Sequence, residues 1–215
     1  MINGRYENIL QPTCARALWD SVLLDLGDIV VTPTLGSIIP SWVLAIPKAG
    51  FRNFSEWAAA DRVAPLQCIA RIAQRLSCDA GRLIWFEHGS NRSGSATGCG
   101  VDHAHIHILL EPTFTFPDFE RQVGKSSSLD WTRGFGNPYR SIEHGKSYLV
   151  TGCANQYLLA QSVESAGSQY FRRIVATLSN KSSAWDYRTH PHLKNVAITV
   201  SHYLDAKRLA TGAAA

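Results

Sequence analysis

The stretch Val101-Asp102-His103-Ala104-His105-Ile106-His107-Ile108-Leu109-Leu110 decides how this chain is read, because its three histidines stand at strict period two. Successive side chains on a β-strand alternate between faces. The spacing therefore predicts a strand over 101–110, with His103, His105 and His107 on one face and Ala104, Ile106 and Ile108 on an apolar back. One histidine in a strand is ordinarily a packed or surface residue. Three at this spacing, in a chain that holds only eight, point to chemistry. Two kinds fit: a metal site, since imidazole is a common zinc ligand, or nucleophilic catalysis, in which one imidazole attacks and its neighbours orient it and move protons. Strand geometry favours the second. Residues two apart rise by roughly 6.5 Å, so the outer pair stands about 13 Å apart, whereas zinc holds its nitrogen ligands at roughly 2.0–2.1 Å. Two of the three with a further ligand from elsewhere remain a metal alternative.

Outward from this segment the pattern alternates strands and helices, an α+β order. Asp28–Thr32 reads as a strand, Pro33–Pro40 as a turn-rich connection, and Trp42–Ile46 as a second strand ended by Pro47. Ser55 is the expected N-cap of a helix. Pro65 starts or kinks its second part, where Leu66, Ile69, Ile72 and Leu76 have helical spacing. Leu83–His88 is expected to pair antiparallel with 101–110. Glu111–Gly145 reads as a long polar connection with one short helix near Asp118–Val123. Ser147–Thr151 and Gln156–Ala160 follow as a hairpin-like pair, then a helix over Ser168–Leu178, a final strand over Val196–Val200 and a frayed tail from Thr211.

Composition bounds the function. With 215 residues, 45% of them hydrophobic and 18% charged, the chain can bury a sizeable core. A net charge of +4 suits an anionic ligand, but no Lys/Arg run marks a nucleic-acid binder. The five cysteines are odd in number, widely spaced and without a CxxC pair, which favours a reducing compartment. Cys99, beside the histidines, is the thiol to watch for reactivity. The N-terminus lacks the plan of a signal peptide, and no apolar run nears the roughly 18 residues a membrane span needs. A cytoplasmic protein with no membrane partner is the expectation.

His-Ala-His-Ile-His-Ile-Leu-Leu resembles the motif of the histidine triad superfamily. Ser41–Lys48 looks like that family's upstream strand and Pro-Lys turn. Leu83–Gly89 looks like the strand before the triad, in a branch carrying Phe-Glu-His-Gly. Tyr170–Arg173 and Trp185–Arg188 look like that branch's C-terminal extension. The resemblance implies a small antiparallel sheet with packed helices and a C-terminal α/β extension. Residues 1–115 would form the catalytic core, and 116–215 a linker and extension packed on it as one compact domain. It also implies that His105 attacks the α-phosphorus of a nucleotide to form a nucleotidyl-imidazole, that His107 helps hold the phosphate, and that His103 braces the nucleophile. The attacking nitrogen must be unprotonated, a task the family gives to a backbone carbonyl on the other ring nitrogen.

This sequence departs from the family where the substrate is held. Gly100 stands where many members have Ser or Thr, Cys99 where they have Gln, and Ala49-Gly50 where a histidine often follows Pro-Lys. Thr34, followed by Leu35, replaces a ribose-binding Asp, and Glu87-His88 replaces Asn-Glu. His88 is a candidate proton donor to a leaving group or a cap of the Gly89 turn. Glu87 is a candidate for ribose hydroxyls or simply solvated. The Ser90–Gly100 loop, with Arg92 and Gly98, could present backbone N–H groups and a guanidinium to phosphate. Arg172 is either near the substrate or an ordinary surface arginine.

The expected activity is hydrolysis of a phosphoanhydride or phosphoramidate of a nucleotide. Transfer to a non-water acceptor, a nucleotide-binding protein with little turnover, and a His-ligated metalloenzyme remain alternatives. No cofactor is implied, with a divalent cation expected only as a counter-ion of substrate. A homodimer is possible by analogy with simpler members.

Overall fold

A computed structural model describes residues 17–59, 65–76, 78–95, 102–126 and 128–212. The strands are β1 (Leu24–Asp25), β2 (Ile29–Pro33), β3 (Trp42–Pro47), β4 (Ile84–Gly89), β5 (Ile106–Leu109), β6 (Thr132–Phe135), β7 (Tyr148–Cys153) and β8 (Gln156–Gln161). The α-helices are α1 (Phe54–Ala59), α2 (Pro65–Arg75), α3 (Phe116–Ser126), α4 (Tyr170–Leu178) and α5 (Leu193–Gly212). The eight strands among the described residues lie in one antiparallel sheet, in the order β1-β2-β3-β5-β4-β7-β8-β6. The chain is thus α+β, and strands from residues 132–161 extend the same sheet that holds the triad strand.

Both faces of this sheet are covered, so every residue of β3, β4, β5 and β7 is buried. On one face Trp85, Ile106, Ile108 and Val150 pack under α1, α2 and α5. On the other, Trp42, Phe86, Leu109 and Leu149 pack under α3 and α4. Helix α2 buries Pro65, Cys68, Ile69, Ile72 and Ala73, one stripe at helical period. Pro65 sits at its first position, where a missing N–H has no bond to lose. Among the described residues no helix is long and apolar enough to cross a membrane.

Five local expectations are corrected. The triad strand begins only at Ile106: the Ala104 N–H goes to the carbonyl of Phe51 at 2.6 Å instead of a sheet ladder, so His103 and His105 precede the strand. Asn53, not Ser55, caps α1, its Oδ1 accepting the Glu56 N–H at 2.9 Å. The helix in the long connection spans Phe116–Ser126, opened by reciprocal bonds between Thr115 and Asp118. That connection also holds an edge strand, β6. Its Gly134 lies flat against the Tyr157 ring, where a Cβ would come within 2.3 Å. Val196–Val200 is helical, within α5: Val196, Thr199, Val200 and Tyr203 are buried while Ile198 is 43% exposed, a stripe that repeats every three to four residues.

Candidate active site

Three strands bring the site together. His107 lies on β5 directly opposite Phe86 of β4 and Leu44 of β3. Its imidazole stacks on Phe86, centroids 4.8 Å apart and planes 23° apart. The Trp42 indole meets it nearly edge-on, and its Nε1–H donates to His107 Nδ1 at 3.1 Å. An indole N–H only donates, so Nδ1 is the acceptor and a neutral His107 carries its proton on Nε2. Nothing in the sequence marks Trp42 as part of the site. Only the β3–β5 register puts it on the same face as His107.

His105 has the complementary arrangement. Its Nδ1 lies 2.9 Å from the carbonyl oxygen of His103. A carbonyl only accepts, so the ring proton sits on Nδ1 and the lone pair on Nε2. His103 Nε2 in turn donates to the Pro47 carbonyl at 2.7 Å, which ties the segment before β5 to the end of β3 and fixes the carbonyl that orients His105. The rings of His105 and His107 are 5.1 Å apart, centroid to centroid. A ring nitrogen with its lone pair unprotonated and an N–H donor are thus carried by neighbouring rings. Among the described residues no group of three or more His, Cys, Asp or Glu side chains is arranged to hold a metal ion.

The structure separates the two neighbours Glu87 and His88, as alternation along β4 requires. His88 shares the face of Phe86 and His107, its ring centroid 6.2 Å from that of His107. It is 6% exposed. Its Nε2 accepts the Phe171 N–H at 3.2 Å, and Nδ1 is buried with no hydrogen-bond partner among the described residues. Burial first, then His105 when it is protonated and the guanidinium groups of Arg172 and Arg173, push its pKa down to about 3, so it stays neutral with its proton on Nδ1.

Glu87 points to the opposite face and is 1% exposed. It accepts from the Phe54 N–H at 2.7 Å and from the hydroxyls of Tyr139 and Tyr148 at 2.8 and 2.9 Å. Burial pushes its carboxyl up to about 7 against these three bonds. The expectation of a ribose-binding or solvated Glu87 is thus replaced by a core anchor.

Of the remaining candidates, Thr34 is buried, its hydroxyl donating to the adjacent Leu35 carbonyl at 3.3 Å, and Leu35 is half-buried. Arg92 is exposed in the turn after β4, where its N–H and carbonyl bond to the Ser90 hydroxyl. Gly98, Cys99 and Gly100 lie outside the described residues.

The connection from Thr34 to Ser41 is clasped by the C-terminal part of the chain. Gly36 N–H donates to Pro191, Asn195 Nδ2 to the carbonyls of Ser37 and Ile38, and Lys181 Nζ also to Ile38, all at 2.8–2.9 Å. Arg172 donates to the Gly36 carbonyl. It is 3% exposed, so the expected surface arginine is a buried one. Comparison with known proteins adds no relative: no family model matches the chain, and no curated protein matches it.

Proposed function

We propose that this protein is a nucleotide hydrolase of the histidine triad superfamily, cleaving a phosphoanhydride or phosphoramidate through a nucleotidyl intermediate on His105. The observation that carries this reading is the bond from His105 Nδ1–H to the His103 carbonyl, beside the Nε2–H that Trp42 imposes on His107. In the first step the His105 Nε2 lone pair forms a bond to the α-phosphorus. The bond from phosphorus to the leaving oxygen or nitrogen breaks, and the leaving group departs with its electron pair and takes a proton from solvent. The imidazole becomes cationic, and the His103 carbonyl, accepting from Nδ1–H, stabilises that charge. His107 Nε2–H donates to a phosphoryl oxygen as negative charge gathers there. Water then attacks phosphorus, the phosphorus–nitrogen bond breaks, its electron pair returns to Nε2, and the proton of the water leaves to solvent.

The antiparallel sheet with helices on both faces is compatible with the fold this family implies. The thiols of Cys68, Cys78 and Cys153 are unbridged, in keeping with a cytoplasmic setting. The test is turnover of a panel of dinucleoside polyphosphates and nucleoside phosphoramidates in oxygen-18 water. Hydrolysis puts the label in the nucleoside monophosphate product, and His105→Ala abolishes turnover. Unlabelled nucleotide joined to another acceptor would make the protein a transferase, and an active His105→Ala would refute the mechanism.

A further inference from the structure

We infer that Arg172 is a positioning residue for the histidine pair, acting through the Trp42 indole to hold the His107 proton on Nε2. The inference rests on the proposed role of His107 and deepens it, because it assigns the C-terminal part of the chain a task in the same site. Helix α4 carries Arg172 onto the face of the sheet that holds His107. A buried guanidinium is costly unless its donors are satisfied. This one donates to the carbonyls of Gly36 and, at 3.2 Å, of Trp185. Its Cζ lies 4.8 Å from the centre of the Trp42 ring and 5.6 Å from that of Tyr187. A permanent cation is thus fixed against the π-face of the residue whose N–H bonds His107.

The physical link follows from the polarity of the indole. A cation held against the ring is attracted to its π-density. By drawing that density toward itself it leaves Nε1–H more positive and a stronger donor, as polarised hydrogen-bond chains do at low dielectric. The bond to His107 Nδ1 strengthens, and the tautomer with the proton on Nε2 is favoured. The same guanidinium lies close enough to His88 to help keep that ring neutral. The contact is also built tightly. Gly36, whose carbonyl accepts from Arg172, has φ +72°, and a Cβ there would meet Tyr187 Cβ at 2.4 Å.

The test reads the tautomer directly. In the whole protein, ring nitrogen-15 shifts of His107 and the proton shift of Trp42 Nε1–H are measured in wild type, Arg172→Met, Arg172→Lys and Trp42→Phe. Methionine keeps much of the stem without the charge, lysine keeps the charge, and phenylalanine keeps the ring without the donor. Wild type should show Nδ1 unprotonated and Nε2 protonated. Arg172→Met should move Trp42 Nε1–H upfield, let His107 populate both tautomers, and lower kcat on the order of tenfold with little change in KM. Arg172→Lys should stay near wild type, and the Arg172→Met/Trp42→Phe double variant should be no slower than Trp42→Phe alone.

A folded Arg172→Met with His107 and Trp42 shifts unchanged would overturn the inference, leaving Arg172 a structural pin. Loss of the tautomer preference in Arg172→Lys would overturn the role of charge, and this variant decides the matter if Arg172→Met does not fold. The shifts need no substrate. Failure of the wild type to form a nucleotidyl adduct would therefore refute the proposed function while the tautomer result still decides this inference.

Discussion

Replacing Glu87 with Gln isolates a buried carboxylate whose hydrogen-bond partners among the described residues are one backbone N–H and two tyrosine hydroxyls. Three donors point at it, yet its complete burial outweighs them and raises its pKa from 4.5 to about 7. The native state therefore binds the proton more tightly than the unfolded chain does. The stability this contributes is fully present below pH 4.5 and is lost as pH rises through 7. A carboxyl raised from 4.5 to about 7 corresponds to about 3 kcal/mol. Glutamine keeps the shape and cannot ionise: its oxygen can accept from Phe54, and its amide can donate to a tyrosine hydroxyl that turns to receive it. Urea unfolding followed by tryptophan fluorescence at about pH 4.5 and about pH 8 should show the variant gaining about 3 kcal/mol on wild type between the two conditions. Subtracting the two proteins cancels the titration of histidines common to both. Parallel stability curves would refute the reasoning, because the three hydrogen bonds would then hold the carboxylate ionised at no cost.

The His88 ring, with its pKa near 3, should show no titration of its carbon-bound proton as pH falls from about 8 to about 5. Its sign follows the same linkage: the unfolded chain takes the proton first, so stability falls as pH drops below 6.5, and His88→Leu should flatten that limb in acid unfolding curves. Asn53→Ala should cost about 1 kcal/mol in chemical denaturation through the lost α1 cap. It also frees the Ser90 carbonyl that Asn53 Nδ2 holds at 2.8 Å. Gly36→Ala forces an L side chain into φ +72° against Tyr187 and should destabilise by about 1–3 kcal/mol, read as a lowered thermal midpoint.

Where apolar runs were long, sequence and structure agree. Ile29–Pro33, Trp42–Pro47, Ile84–Gly89, Tyr148–Cys153 and Gln156–Gln161 are strands close to where Val, Ile, Leu and aromatic residues cluster. Helix α2 follows its periodicity, with Leu66 and Leu76 half-buried at the margins of the stripe. The misses share a cause, which is that tertiary contacts outweigh local pattern. Val196–Val200 alternates as a strand would and has β-branched residues, but packing Val196, Val200 and Tyr203 against the sheet selects a helix. Thr132–Phe135 has no apolar alternation, and backbone pairing to β8 alone makes it a strand.

In the site, the three histidines of the motif lie together, but not by the strand alternation that their spacing suggests. His103 and His105 stand together with His107 because the chain leaves the sheet, bonding Pro47 and Phe51. Trp42 and Phe171 carry no mark in the sequence, since each reaches the site through sheet register or helix packing, and of the two readings open for Arg172 the surface one fails because helix packing buries it. Glu87 and His88 are neighbours in sequence with opposite fates, and which of them faced the triad depended on the register of β4 against β5.

Covalent catalysis by His105 leaves an adduct that can be trapped. Intact-protein mass is measured after brief mixing with nucleoside phosphoramidates and dinucleoside polyphosphates, in wild type, His107→Ala and His105→Ala. The quench is basic, because phosphorus–nitrogen bonds to imidazole are acid-labile. The expected result is an added nucleotidyl mass that maps to His105, persists longer in His107→Ala and is absent from His105→Ala. An adduct on another residue, or turnover of a donor with no adduct and His105→Ala still active, would contradict it.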